Sequence, residues 1–76
     1  MSSELREKLR AIVAEVAEID EVPDDAPFKD LGIDSMMAIE IVAEVERTYK
    51  IKVPEDELEQ VRDLNSVVNL VEAKLK

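Results

Sequence analysis

Neither cysteine nor histidine occurs anywhere in the 76 residues. Without cysteine there can be no disulfide staple and no thiolate metal site. Without histidine the commonest general base and the usual zinc ligand are missing, so a Ser-His-Asp triad cannot be assembled within this chain. An enzyme would have to work through a carboxylate pair, and no apolar pocket for one is legible, so no catalytic residue is assigned. Tryptophan is absent and phenylalanine and tyrosine occur once each, which makes the expected core aliphatic. Basic residues are scarce: 10 against 19 acidic ones, a formal charge of −9. That balance excludes nucleic acid, whose phosphates need clustered Lys and Arg, and disfavours an anionic membrane surface. A basic protein surface is the natural complement, with charge steering the encounter. No apolar run approaches the roughly 20 residues that span a bilayer, so no membrane insertion is expected. The first ten residues are charged from Glu4 onward and lack a secretory apolar stretch. The expectation is one domain over residues 1–76, monomeric, and either cytoplasmic or the mature form of an organelle protein.

What is present is helical periodicity. Ser2 or Ser3 can cap a first helix, with Glu4 in its first turn. Leu5, Leu9, Ile12, Val13 and Val16 then form one apolar stripe, predicting a helix that ends near Ile19. Residues 20–34 are a long connection broken by Pro23 and Pro27, with Val22, Phe28, Leu31 and Ile33 as apolar anchors. Phe28 reads as a core plug. The loop's carboxylates, Asp24, Asp25, Asp30 and Asp34, fail the calcium-loop spacing, so no metal site is assigned. A second helix is predicted over Ser35 to Tyr49, and Ala38, Ile41, Val42, Val45 and Tyr49 share its core face. Ile51 and Val53 alternate as a strand would, but they have no partner and Pro54 closes the run. Pro54 suits the first position of a short third helix with Leu58 and Val61 as core contacts. Asn65 or Ser66 can cap a last helix that buries Val67, Val68, Val71 and Leu75 and ends on Lys74 and Lys76. The predicted fold is all-α: a four-helix bundle of three longer helices and one short one, with a long loop between helices one and two.

The chain's single glycine lies in Leu31-Gly32-Ile33-Asp34-Ser35-Met36. Gly32 marks a sharp turn, and Asp34 and Ser35 are both good caps for the helix that follows. A serine hydroxyl is thereby placed at the positive end of a helix dipole, where phosphate-type groups are favoured. On these grounds alone the stretch is either an anchor for an anionic group or a well-capped helix.

The run Asp34-Ser35-Met36 after Leu31-Gly32-Ile33 resembles the attachment site of acyl carrier proteins, which usually reads Asp-Ser-Leu. The chain's length and acidity, the upstream Phe28 and the amphipathic helix after the serine extend the resemblance over essentially the whole chain. It implies that Ser35, with Asp34 as its motif neighbour, carries 4′-phosphopantetheine installed from coenzyme A by a phosphopantetheinyl transferase. The chain would then carry acyl groups as thioesters to enzymes of fatty-acid, polyketide or related lipid biosynthesis. It would not be an enzyme itself, and the missing His and Cys fit, because the reactive sulfur comes with the cofactor.

A second stripe on helix two, Met36, Ile39 and Ala43 among Glu40, Glu46 and Arg47, is either covered by neighbours or an exposed docking surface. The resemblance favours docking, since the family uses this helix to meet basic patches on partner enzymes. Arg47 departs from the family, which often has an acid there. So do Met36, in place of leucine, and Met37, where many fatty-acid carriers are acidic; these changes leave a polyketide or specialised-lipid carrier open. An unmodified acidic module that binds a partner through helix two is the alternative from another class.

Overall fold

The computed structural model describes residues 3–75. Four helices appear in order: α1 (Ser3–Ala17), α2 (Ser35–Tyr49), α3 (Glu55–Leu58) and α4 (Leu64–Leu75), with a 3-10 turn at Phe28–Leu31 inside the long first connection. Among the described residues there is no strand. Residues 1, 2 and 76 and the Ser3 side chain lie outside the description, and with them the expected caps at Ser2 and Ser3 and the terminal Lys76.

α1 packs along both α2 and α4. Leu9 and Val13 from α1, Ile41 and Val45 from α2, and Leu64, Val67, Val68 and Val71 from α4 meet in one cluster. Each such aliphatic side chain contributes about 1.5–3 kcal/mol by leaving water. Among the described residues no polar or charged residue is buried. Phe28 is buried among these side chains together with Val22 and Ile33, so the long connection adds to the core from its own sequence.

α1 and α2 both end without glycine. Glu18 and Lys50 take left-handed backbone angles at φ 56°. Ile19 N–H donates to Ala14 O at 3.0 Å, and Ile51 N–H to Glu46 O at 3.2 Å. These bonds satisfy carbonyls that the last turn leaves orphaned, while Ile19 and Ile51 pack onto the core. α1 therefore stops at Ala17, two residues short of the predicted Ile19. The core pull on Ile19 is met by the turn and not by more helix.

Other expectations need correction. Pro54 sits one position earlier than expected: it caps α3 with extended angles, and its carbonyl accepts from Glu57 and Leu58 N–H. α3 buries none of its residues; Leu58 is half-buried outside the core, while Val61 does pack against it. α4 starts at Leu64, which is fully buried, and not after an Asn65 or Ser66 cap. Asp63 does the capping: its carboxylate accepts from Ser66 N–H at 2.8 Å, and Ser66 Oγ accepts from Asp63 N–H at 3.1 Å, a reciprocal capping box. Leu75 is 50% exposed, because the helix has by then run past the core. Lys74 reaches back instead, with Nζ 2.9 and 3.0 Å from the two Glu57 carboxylate oxygens, tying α4 to α3.

The long connection is fastened at several points. Arg6 and Arg10 of α1 both pair with the Asp24 carboxylate. Asn65 N–H donates to Asp24 O at 3.1 Å, and Phe28 N–H to Arg62 O at 2.7 Å. Tyr49, at the end of α2, has a buried hydroxyl with no hydrogen-bond partner, and burial raises its pKa above the usual 10.0.

Candidate functional site

The site begins with a backbone reversal. Phe28 dives into the core, and the 3-10 turn that follows is closed by Gly32 at φ 79°, whose N–H donates to Lys29 O at 3.2 Å. Ile33 N–H donates to Phe28 O at 2.9 Å, and the Ile33 side chain returns to the core. A Cβ at position 32 would meet nothing within 4 Å, so glycine is needed there for its conformation and not for space.

From this anchored turn the chain enters α2. Asp34 is extended (φ −87°, ψ −178°), and its carboxylate accepts from Met37 N–H at 2.9 Å. Of the two cap candidates, the structure uses Asp34. Ser35 is the first helical residue and is exposed. Its hydroxyl is thus left outside the cap, on a rigid corner beside the N–H groups of the first turn.

Two grooves meet at Ser35. One lies beside the 3-10 turn and the residues leading into α4, where Lys29 and Arg62 flank buried Phe28 and Ile33. The other lies between α2 and α3, where Glu55 and Glu59 flank Ile39, Val42 and Leu58. The roles of Lys29, Arg62 and Leu58 here were not legible in the sequence. Arg62 and Leu58 join grooves with Ser35 only through the packing of segments distant in the chain, and no local spacing signals which residues will line them.

The second stripe of α2 faces outward. Met36 is 69% and Ile39 54% exposed, and Glu40, Ala43 and Arg47 are exposed as well. Of the two readings of this stripe, covered by neighbours or open, the side chains stand open. Glu46 is the exception among the six residues singled out. It is half-buried, and its Oε2 accepts from Val53 N–H at 2.7 Å, so it also caps the segment that looked like a strand. Arg47 is paired 2.7 Å from Glu44 on its own helix, which offsets its charge locally.

Comparison with known proteins agrees with this geometry. The family described as "Phosphopantetheine attachment site" matches residues 7–71. The chain is 43% identical to the anthracycline acyl carrier protein DpsG of Streptomyces peucetius, over 97% of this chain and 89% of that protein. The fold superimposes on the crystal structure of an acyl carrier protein from Thermotoga maritima with a TM-score of 0.82 at 26% identity, covering 95% of this chain and 87% of that one. It also superimposes, with a TM-score of 0.75 at 25% identity, on the solution structure of 3-oxo-butyl-ACP from the actinorhodin polyketide synthase of Streptomyces coelicolor, covering 92% and 88%. The described residues contain no helix long and apolar enough to cross a membrane. An exposed helix-start serine, a matching family and a shared fold converge on one conclusion: this chain belongs to the acyl carrier proteins, whose cofactor is covalently attached 4′-phosphopantetheine.

Proposed function

We propose that Ser35 is the attachment residue and that the chain carries acyl intermediates of polyketide assembly between separate enzymes, without catalysing a step itself. The observation that carries the reading is the division of labour at the start of α2: Asp34 caps the helix, and Ser35 is exposed beside it. The Ser35 hydroxyl is presented to a phosphopantetheinyl transferase, which supplies the base that takes its proton as coenzyme A is cleaved. The arm, once attached, provides the thiol on which the acyl group is held as a thioester. Residues on the protein itself then do two things. The anchored turn and the Asp34 cap keep the attachment point fixed, and the exposed stripe of α2 gives partner enzymes a surface to find.

That surface is Met36, Ile39 and Ala43 flanked by Glu40, with Arg47 modifying its charge and Glu46 offering the oxygen not used on Val53. Basic patches on acyl-processing enzymes are its complement, given the net charge of −9. The polyketide assignment rests on the actinorhodin polyketide synthase neighbour, alongside the 43%-identical relative named as an anthracycline acyl carrier protein. It is strengthened by Met37, a half-buried side chain packed on the core where many fatty-acid carriers are acidic. We further place residues 1–76 in one carrier domain, monomeric and cytoplasmic. Intact mass after incubation with coenzyme A and a broad-specificity transferase tests the central assignment. The expected result is the gain of one phosphopantetheine in the parent protein and none in Ser35→Ala. An unshifted parent, or a shift that survives the substitution, would instead favour an unmodified partner-binding module.

A further inference from the structure

The two grooves that meet at Ser35 carry opposite charge. In a chain of net charge −9, the groove beside the 3-10 turn has two exposed cations, Lys29 and Arg62. Neither takes part in an ion pair among the described residues, as is also true of Lys8, Lys50 and Lys52, but only Lys29 and Arg62 line a groove that Ser35 also lines. Their backbones, though not their side chains, are held in place. Phe28 N–H donates to Arg62 O at 2.7 Å, which brings residue 29 beside residue 62, and Arg62 N–H is itself fixed on Ser66 Oγ at 3.0 Å. The one acid lining this groove, Asp34, is engaged with Met37 N–H at the helix start. The groove between α2 and α3 has instead Glu55 and Glu59.

We infer that the arm on Ser35 rests in the groove beside the 3-10 turn, with its phosphodiester between Lys29 and Arg62 and its apolar carbons over Phe28 and Ile33. This rests on the reading of Ser35 as the attachment residue. Charge complementarity selects the occupant. The phosphodiester is an anion attached at Ser35, which shares this groove with two cations, and the carboxylates of the other groove repel it. Because Lys29 and Arg62 are exposed, the seat is a weak one, sensitive to salt and open to partner enzymes that draw the arm out.

The test uses the holo protein, with loading at Ser35 first verified by intact mass. Amide chemical shifts are compared between apo and holo forms, for the parent and for the Lys29→Gln/Arg62→Gln double variant. The parent should show changes that extend from Ser35 to Lys29, Ile33 and Arg62. In the double variant the changes at Ile33 and Arg62 should fall by about fivefold, the scale of losing exposed charge contacts. A salt titration of the parent holo protein should shrink the same shifts and does not depend on any variant folding. Changes confined to Glu55, Leu58 and Glu59, or a pattern indifferent to both the double substitution and salt, would overturn the groove assignment while leaving Ser35 as the attachment residue. A protein that gains no arm at Ser35 overturns both.

Discussion

The two long faces of α2 are built from the same kinds of side chain, yet one is buried and the other stands open. Ile41 is fully buried in the core cluster; Ile39, two residues earlier, is 54% exposed beside Ser35. Their hydrophobicity is the same, and only two steps of about 100° around the helix separate them. Stability therefore resides on the buried face, and the open face is left free for the recognition proposed for it.

The largest way to break this comparison is Ile41→Ala. A fully buried isoleucine cut to alanine costs about 2–5 kcal/mol, comparable to the net stability of a domain this small. Chemical denaturation should show a largely unfolded variant, and its failure as a carrier would follow from that alone. Ile39→Asp should do the reverse. Thermal unfolding should barely move, within about 0.5 kcal/mol, while KM for transfer from this carrier to a polyketide-type partner enzyme rises about tenfold or more through loss of a central contact. If Ile39→Asp left every partner's KM unchanged, the docking assignment of that face would fail.

Asp34→Ala bears on both faces at once, since it removes the cap. The expected loss is about 1 kcal/mol, read by denaturation, together with slower modification of Ser35 in a transferase assay as the first turn frays. Smallest is an effect at the far end of the buried face. The raised Tyr49 pKa means that the folded state resists forming the phenolate. The unfolded chain then releases that proton first as pH climbs past the usual 10.0, and stability falls with rising pH in that window. Below it the neutral phenol is present in both states and contributes no pH dependence. Tyr49→Phe should flatten this part of the stability profile relative to the parent, and should be neutral or slightly stabilising at pH 7 because an unpartnered buried hydroxyl is removed.

Much of this was legible in the sequence where local chemistry and packing agree. The bounds of α2 follow from the Asp34 cap and a clean apolar period, and both are satisfied in place. Phe28 as the plug of the long connection follows from its being the one large aromatic among aliphatics. What was hidden is what depends on distant partners or on weak punctuation. Glu18 and Lys50 end their helices in left-handed geometry with no glycine to announce it. Asp63, Asn65 and Ser66 are all capable caps, and the choice of Asp63 follows from burial of Leu64, which the apolar pattern of the last helix did not include. Leu58 has the type of a core contact and lines a groove instead, because the one-turn α3 is not packed into the bundle as the longer helices are. Lys29 and Arg62 come together through one backbone hydrogen bond between segments far apart in the chain.

The fastening of the long first connection carries a consequence for how the protein survives in a cell. Proteases need a stretch of chain that can lift away and extend into their clefts, and irregular segments normally provide it. Residues 18–34 form the longest irregular segment here, yet Val22, Asp24, Phe28 and Ile33 are each tied down at short intervals. Lifting this stretch into a protease cleft means breaking those core contacts first, so it should resist digestion better than its irregular backbone alone suggests.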